Sequence, residues 1–325
     1  MIISKTPYRL SFFGGGTDMP KWYLKNNGQV LSTTINKYIY LTMKNLPSIF
    51  KENIRLVYSK TELVNKINEI KHPSFRETLR YMKIYKNVDI HYLGDLPAYS
   101  GIGSSSAFTV GLLNVLSHYK GINIQKKNLG LKSIYIEQKK IKEYVGSQDQ
   151  IAVSVGGLNH IYFNKNGNIN VKKLNIKKNT INNLQRNLLL FYTGIKRNSN
   201  NIQEQYIKKI FEKKIELNKI YKSVNLGISL LKNGKLDDFG LLMNEMWQLK
   251  KKLNNRVSND FIDEIYNEAI NNGALGGKIT GAGGGGFLLF YAKNKFHSKI
   301  KNKLSKLKHV SFKFENEGSK IIYNK

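Results

Sequence analysis

The stretch Pro97-Ala98-Tyr99-Ser100-Gly101-Ile102-Gly103-Ser104-Ser105-Ser106-Ala107 places two glycines and three serines directly before an apolar segment with helical spacing. Glycine allows the backbone to turn so that neighbouring N–H groups point at one place. The first turn of the following helix adds unpaired N–H groups and about half a positive charge. Residues 101–106, which we call the phosphate loop, therefore predict a site for the phosphates of a nucleotide. The alternative is a glycine turn capped by a serine.

Two more glycine-rich stretches stand near the ends of the chain. One is Pro7-Tyr8-Arg9-Leu10-Ser11-Phe12-Phe13-Gly14-Gly15-Gly16-Thr17-Asp18-Met19-Pro20, and the other is Lys278-Ile279-Thr280-Gly281-Ala282-Gly283-Gly284-Gly285-Gly286-Phe287. Three loops of this kind, in this order, resemble the GHMP kinases, which are named after galactokinase, homoserine kinase, mevalonate kinase and phosphomevalonate kinase. The resemblance extends from residue 5 to about residue 290. It implies an α+β, two-domain fold with the active site in the cleft between the halves, and an ATP-dependent kinase.

Two other glycine motifs fit this sequence poorly. Gly281 to Gly286 has the spacing of a dinucleotide-binding fingerprint, but that motif opens a helix, whereas residues 287–291 have the pattern of a buried strand. Gly276-Gly277-Lys278 resembles the end of a P-loop, but Ile279 occupies the position that requires Ser or Thr. Neither a Rossmann oxidoreductase nor a P-loop enzyme is therefore favoured.

The chain length and the pattern of elements predict two domains. The 325 residues are enough for two packed cores, and we expect an N-terminal domain over 1–180 and a C-terminal domain over 181–325. Strands mixed with long helical patterns, such as residues 104–119 and 126–142, indicate an α+β class. Residues 164–186 are rich in Asn and Lys and poorly periodic, which predicts a loop at the boundary.

The composition indicates a cytoplasmic protein. The chain has no cysteine, which removes disulfides and thiolate metal sites and suits a reducing compartment. We see no secretory leader and no apolar stretch near the ~20 residues that span a bilayer. We therefore expect no membrane partner, and a homodimer is left open.

The formal net charge of +31 raises the alternative of a basic nucleic-acid-binding protein. Only seven of the 53 basic residues are arginine, and the lysines are scattered along the chain. We find no basic stripe with interleaved aromatic residues, which that alternative predicts. The expected partners are therefore ATP and a small sugar phosphate, without a specific nucleic acid.

The resemblance assigns residues to phosphoryl transfer. Nucleotide contacts are expected from Gly101, Gly103, Ser104, Ser105 and Ser106. The family pattern implies that Ser105 and Glu137 hold Mg²⁺, and that Asp149 is the base that accepts the proton of the sugar hydroxyl. Arg9 is the expected cation beside Asp149 and the transferred phosphate. From the residues alone, Asp149 could instead cap a helix, Glu143 could replace Glu137 and Lys5 could replace Arg9.

The acceptor contacts are expected on three segments. Asp18 of the first glycine loop, with Gly15, Gly16 and Thr17, is expected to bind sugar hydroxyls; its alternative is a turn before Pro20. Gly283 and Gly284 are expected to approach the substrate from the opposite domain. The stretch Tyr192-Thr193-Gly194-Ile195-Lys196-Arg197-Asn198-Ser199 offers Lys196 and Arg197 to a substrate phosphate, with two solvated cations as the alternative.

The first glycine loop also indicates a subgroup of the family. Its form resembles the D-glycero-D-manno-heptose 7-phosphate kinases and the kinase half of L-fucose kinases, which phosphorylate an anomeric hydroxyl. The stretch from Tyr192 to Ser199 resembles the heptose enzymes. We therefore expect the protein to use ATP and Mg²⁺ to phosphorylate D-glycero-D-manno-heptose 7-phosphate to the 1,7-bisphosphate. This product would serve nucleotide-heptose and surface polysaccharide synthesis. An L-fucose or galactose type of sugar 1-kinase is the alternative.

Overall fold

Two long antiparallel strands, β1 (Ile2–Phe13) and β2 (Gly28–Lys44), organise the first half of the protein. The computed structural model describes residues 1–195, 204, 207 and 209–325. Five shorter strands extend this sheet: β3 (Ile54–Val57), β4 (Thr61–Val64), β5 (Val88–Gly94), β6 (Asn159–Phe163) and β7 (Ile169–Lys173). Strands β5 and β6 pair with β2, and β3 runs parallel to β5.

The helices of this half lie against the sheet and along its loops. They are α1 (Pro20–Asn26), α2 (Pro73–Tyr81), α3 (Ser104–Tyr119), α4 (Lys126–Tyr135), α5 (Gln148–Val155) and α6 (Lys178–Arg186). Helix α3 is buried along most of its length, because it packs on β1 and β2 on one side and on α4 and α5 on the other. It therefore forms the centre of the first core, and its N-terminus is the end that carries the phosphate loop.

The second half is built on a four-stranded sheet in the order β11-β8-β10-β9. Its strands are β8 (Leu188–Tyr192), β9 (Ala274–Ile279), β10 (Phe287–Ala292) and β11 (Lys308–His309). Its helices are α7 (Lys214–Lys232), α8 (Leu236–Leu253), α9 (Asp260–Asn271) and α10 (His297–Lys303). Every residue of β10 is buried, as expected for a central strand with an uninterrupted apolar sequence. The two sheets with mixed helices confirm the predicted α+β, two-domain fold class.

The end of the chain returns to the first sheet. Strand β12 (Phe314–Glu315) pairs with β2, and β13 (Lys320–Asn324) pairs with β1. The boundary between residues 180 and 181 stays a prediction, but residues 314–324 pair with the first sheet rather than the second. Sequence periodicity does not reveal this return, because a short strand carries no information about its partner.

The predicted loop over 164–186 is wrong. This segment contains strand β7 (Ile169–Lys173), which pairs with β6, and helix α6 (Lys178–Arg186). Helix α6 is rich in Asn and Lys, but Leu184 on it is fully buried, so packing outweighs its weak helix propensity. Among the helices of residues 1–195 and 209–325, none has both the length and the apolar content that crossing a bilayer requires.

Candidate functional site

The phosphate loop opens into a cleft between the two halves of the protein. Gly101 and Gly103 have φ angles of +81° and +76°, a left-handed region that favours glycine. Helix α3 begins at Ser104, so its first N–H groups face the loop. All five predicted nucleotide-contacting residues, Gly101, Gly103, Ser104, Ser105 and Ser106, line the cleft. The geometry therefore suits an anion.

A bidentate ion pair lies directly behind this loop. The Nε and Nη2 atoms of Arg9 donate to the two carboxylate oxygens of Asp149 at 2.7 and 2.8 Å. The Arg9 Nη1 atom also donates to the Gly101 carbonyl at 2.8 Å. A Cβ on Gly103 would lie 3.1 Å from Arg9 Cγ and 3.6 Å from Asp149 Oδ2, so a side chain there would crowd Arg9. The structure thus brings β1, the phosphate loop and α5 together at one point.

The alternatives for these two residues find no support. Asp149 lies inside the first turn of α5, while Ser147 occupies the N-cap position, so Asp149 is not the cap. Lys5, the alternative to Arg9, places its ammonium group 3.7 Å from the centre of the Tyr38 ring, and Lys5 is not among the residues that line the cleft.

Glu137 is a fully buried carboxylate whose surroundings suit a cation. A helical turn of the π type over Ile136–Ile141 ends the predicted 126–142 helix and carries this residue. Its Oε2 atom accepts hydrogen bonds from Ser106 at 3.0 Å and Gln150 at 2.6 Å, whereas its Oε1 atom has no hydrogen-bond partner. Burial, and secondly the charge of Glu143, raise the pKa of Glu137 to about 8. Glu137 does not itself line the cleft, but it contacts Ser106, which does. A divalent cation at the orphaned oxygen would offset the cost of a buried carboxylate charge.

The remaining metal predictions are only partly reflected in the structure. Ser106, rather than Ser105, hydrogen-bonds Glu137, while Ser105 is exposed at the cleft. Glu143, the alternative to Glu137, lines the cleft, and burial raises its pKa. Within the described part of the chain, no cluster of three or more acidic or histidine side chains could hold a metal. Mg²⁺ commonly uses one or two carboxylates with phosphates and water, so the residues present fit it.

Asp18 is held inside the first glycine loop and borders the cleft. Its Oδ1 atom accepts a hydrogen bond from the Gly16 amide at 2.9 Å, and it is almost fully buried. Burial, followed by the charge of Asp149, raises the pKa of Asp18. A Cβ on Gly146 would lie 1.9 Å from Asp18 Oδ2, so the segment before α5 requires glycine there. Asp18, with Gly15 and Gly16 beside it, is therefore available to an acceptor in the cleft.

Three residues predicted to contact the acceptor do not line the cleft. The Thr17 hydroxyl donates to the carbonyls of Gly14 and Gln29, so it stabilises the loop and does not line the cleft. Gly283 and Gly284 pack on Val257 within the second half. Their places in the cleft are taken by Gly281 and Ala282. The sequence of a glycine-rich loop does not show which of its residues face a ligand, because the backbone changes direction within the loop.

The close approach between the halves occurs at the end of the same glycine run. A Cβ on Gly286 would lie 2.1 Å from the carbonyl oxygen of Ser100, just before the phosphate loop. Gly286 also has a φ of +95°. A close backbone approach from the second half is thus found at Gly286, and its contact is Ser100, the residue directly before the phosphate loop. Lys196 and Arg197 lie outside the described residues.

Sequence reasoning missed Lys278 on β9. Its ammonium group donates to the carbonyls of Ser11 and Phe12 on β1, at 2.9 and 3.0 Å, and thereby bridges the two halves at the cleft. Burial, followed by the charge of Arg9, lowers the pKa of Lys278 to about 7. The only signal in the sequence is a lysine within a strand of otherwise small and apolar residues, directly after the two glycines that resemble the end of a P-loop.

The lowered pKa of Lys278 predicts a pH effect on stability. The unfolded chain keeps this lysine protonated up to about pH 10.5, so the cost of burying the charge is fully present below pH 7 and is relieved as the pH rises. Between pH 8 and 9.5 the free energy of unfolding should rise, relative to Lys278→Met, by about 1.4 kcal/mol per pH unit. Urea titrations of both proteins measure this difference. Parallel pH profiles would contradict it.

Phosphoryl transfer from a nucleotide requires a phosphate-binding loop, positive charge beside the transferred group and a carboxylate for the metal ion. The residues described above offer a candidate for each part, which is the composition of a nucleotide-dependent phosphotransferase. Two family models match the chain: GHMP kinases N terminal domain over residues 65–157 and GHMP kinases C terminal over residues 228–309. Together they cover more than half of the sequence. The chain belongs to the GHMP kinases, and it is an ATP-dependent sugar kinase.

Individual relatives are similar over the full length of the chain. The D-glycero-alpha-D-manno-heptose 7-phosphate kinase of Campylobacter jejuni is 29% identical, with 98% of each chain covered. The galactokinase of Pyrococcus furiosus is 26% identical, covering 88% of this chain and 87% of its own. A solved D-glycero-D-manno-heptose 1-phosphate kinase from Bacteroides thetaiotaomicron superposes with a TM-score of 0.81 at 23% identity, with both chains fully covered. That last similarity concerns the fold alone.

Proposed function

We propose that the protein transfers the γ-phosphoryl group of ATP to the anomeric hydroxyl of D-glycero-D-manno-heptose 7-phosphate, giving the 1,7-bisphosphate and ADP. The observation that carries the proposal is the placement of two carboxylates, Asp18 and Asp149, in one cleft with the phosphate loop. The similarity to the Campylobacter jejuni heptose 7-phosphate kinase over 98% of both chains supports the choice of acceptor. The product would feed nucleotide-heptose and surface polysaccharide synthesis.

Asp149 is the proposed base, and Arg9 is its proposed partner. Both carboxylate oxygens accept hydrogen bonds from Arg9, yet the Asp149 side chain remains 25% exposed. Each carboxylate oxygen has two lone pairs, so Asp149 can still accept the proton of a hydroxyl. The bidentate contact holds the carboxylate in one orientation, and the guanidinium adds positive charge beside the transferred phosphoryl group.

The nucleotide and its cation are assigned to the phosphate loop and to Glu137. Gly101 and Gly103 with the three serines would bind the phosphates of ATP through backbone N–H and hydroxyl groups. Glu137 and Ser105 would hold Mg²⁺, which neutralises phosphate charge when bound. The free Oε1 atom of Glu137 supports this assignment.

The acceptor would lie between Asp18 and Asp149. Asp18, with the glycine backbone of residues 15 and 16, would accept hydrogen bonds from sugar hydroxyls, since a carboxylate offers two oxygens to neighbouring O–H groups. We propose Lys196 and Arg197 for the 7-phosphate, because paired cations form charge-assisted hydrogen bonds with a phosphate. A phosphorylated acceptor carries about −1.5 to −2 charges.

A panel of acceptors tests this function. With ATP and Mg²⁺, heptose 7-phosphate should give a kcat/KM about 10²-fold or more above L-fucose and galactose, because these sugars lack a phosphate whose charged hydrogen bonds contribute about 1.5–3 kcal/mol each. Mannose 6-phosphate carries its phosphate one carbon closer to the ring, so it should be a poorer acceptor than heptose 7-phosphate. Phosphorus NMR should locate the new phosphate on the anomeric carbon. Arg197→Ala should lower kcat/KM for heptose 7-phosphate about tenfold, and should leave slow turnover of unphosphorylated heptose unchanged.

Each alternative result of the panel has a clear meaning. Efficient turnover of free L-fucose or galactose by the unmodified protein would replace the acceptor and leave the kinase class intact. Equal losses of Arg197→Ala on both heptoses would show that Arg197 does not bind the 7-phosphate.

A further inference from the structure

Lys278 is the buried cation in the cleft that no assigned role explains. Its ammonium group makes two hydrogen bonds, to the Ser11 and Phe12 carbonyls. Within residues 1–195 and 209–325, no carboxylate lies within 4.0 Å of this ammonium group. An ammonium has three donors, so one remains for a further acceptor. A buried charge without a counter-charge is unfavourable, and an anionic ligand would relieve that cost.

Ser11 supplies a second and independent observation at the same place. Its hydroxyl is buried and has no hydrogen-bond partner, although the residue lines the cleft beside Lys278. A buried hydroxyl without a partner is unfavourable, because it has lost its hydrogen bonds to water. The Lys278 ammonium and the Ser11 hydroxyl thus each have a donor available, and both groups lie beside the Ser11 carbonyl. This pair is the composition expected of a site for an anionic oxygen.

Lys278 and Ser11 lie between the residues proposed for the nucleotide and those proposed for the acceptor. Arg9 and Ser11 are alternate residues of β1, so their side chains point to the same face of the strand. Arg9 lies behind the phosphate loop, while Asp18 borders the proposed acceptor site. The charges of both Arg9 and Asp18 act on the ammonium of Lys278. An oxygen bound by Lys278 and Ser11 would therefore belong to the group that passes from nucleotide to acceptor.

We propose that Lys278 is a further catalytic residue, and that its ammonium group and the Ser11 hydroxyl donate hydrogen bonds to an oxygen of the phosphoryl group during transfer. The bond from phosphorus to the ADP oxygen breaks, the bond to the acceptor oxygen forms, and Asp149 takes the acceptor proton. Lys278 keeps its own proton and neutralises charge on the transferred oxygens. This inference rests on the kinase class and not on which sugar is the acceptor.

Lys278→Met tests the proposal, because methionine keeps the length of the side chain and removes its charge. We expect kcat to fall by about 10²-fold or more, the range for losing a preorganised charge stabiliser, with the KM for ATP within about threefold. Slow ATP hydrolysis without any sugar should fall similarly, because water then replaces the acceptor. Ser11→Ala should show a smaller loss, about tenfold, because a neutral donor contributes less.

A binding measurement separates a catalytic role from a structural one. The complex of the protein with MgADP and aluminium fluoride imitates the transferred phosphoryl group, whereas MgADP alone does not. In Lys278→Met the affinity for MgADP should be unchanged, and the additional affinity given by aluminium fluoride should fall about 10²-fold. Equal losses of both affinities would identify Lys278 as a structural link between β9 and β1, and would overturn the proposal.

Proton uptake provides a further readout that a structural role would not change. An anion beside Lys278 stabilises its charged form, so at pH 8 a non-hydrolysable ATP analogue should bind with uptake of up to one proton. In the described part of the chain, the other charged groups that line the cleft are Arg9, Asp18, Glu143, Asp149 and Lys250, and Glu137 lies against the phosphate loop through Ser106. All of them are retained in Lys278→Met, so loss of the uptake in this variant assigns it to Lys278. Uptake that persists in the variant would contradict the proposal.

Lys120→Met is the matched control. Lys120 also donates its ammonium to a backbone carbonyl, that of Met82 at 3.1 Å, but it lies away from the cleft. Turnover and aluminium fluoride binding should stay at the level of the unmodified protein. If the acceptor panel fails while hydrolysis and aluminium fluoride binding depend on Lys278, then the proposed sugar is wrong and this inference stands.

Discussion

Asp149→Asn is expected to lower kcat by about 10²-fold or more, while the affinities for nucleotide and acceptor stay near those of the unmodified protein. Asparagine has nearly the same shape but cannot accept the hydroxyl proton. Its NH₂ group would also face an N–H of Arg9, so one of the two charge-assisted hydrogen bonds at 2.7 and 2.8 Å is lost. Single-turnover kinetics with MgATP measures the transfer step directly.

Asp89→Asn is the matched control for this prediction. Asp89 also forms a bidentate pair with an arginine, Arg55, at 2.9 and 2.5 Å, but on β5 and β3 and away from the cleft. Its replacement should lower stability, because a buried charged pair is broken, and should leave turnover per folded molecule unchanged. If Asp149→Asn retained near-normal turnover, the Asp149–Arg9 pair would be structural, like the pair of Asp89 with Arg55.

Glu137→Gln is expected to raise the Mg²⁺ concentration needed for half-maximal activity by about tenfold to 100-fold, with a smaller effect on the KM of the sugar. Glutamine can keep the hydrogen bonds with Ser106 and Gln150, but it removes the negative charge that the free Oε1 atom would present to the cation. Initial rates over a range of Mg²⁺ concentrations at saturating ATP give the requirement.

Variants of Ser105 and Ser106 test which of the two serine hydroxyls binds the cation. If Ser105 is a ligand, Ser105→Ala should raise the Mg²⁺ requirement, whereas Ser106→Ala should act through loss of its 3.0 Å hydrogen bond to Glu137 and lower stability as well. Thermal unfolding without nucleotide separates the two effects. A defect in Glu137→Gln and Ser105→Ala that excess Mg²⁺ does not relieve would refute both metal assignments.

The elements and loops of this protein were largely predictable from local sequence. Helix α3 occupies Ser104–Tyr119, as its apolar spacing and the preceding glycines indicate. The position of the phosphate loop follows for the same reason, because glycine geometry and a helix N-terminus are properties of neighbouring residues. Segment 164–186 was misjudged because its helix depends on burial of Leu184, which local composition does not reveal.

The residues that line the cleft were predictable where a sequence motif includes them. Arg9, Asp18 and Asp149 stand within recognisable patterns, and all three line the cleft. Their catalytic and binding roles stay predictions. The glycine run near the C-terminus is a counterexample, because the residues that line the cleft are Gly281 and Ala282 rather than Gly283 and Gly284.

The sequence by itself determined the family, the fold class and the residue types of the phosphate loop, since these depend on short patterns and their order. The tertiary structure alone decided that Lys278 reaches the Ser11 carbonyl, 267 residues away in sequence, and that Ser106 rather than Ser105 contacts Glu137. The final strands, β12 and β13, likewise join the first sheet only through long-range pairing. Such contacts arise from the packing of distant elements, and that packing also buries Lys278 and lowers its pKa.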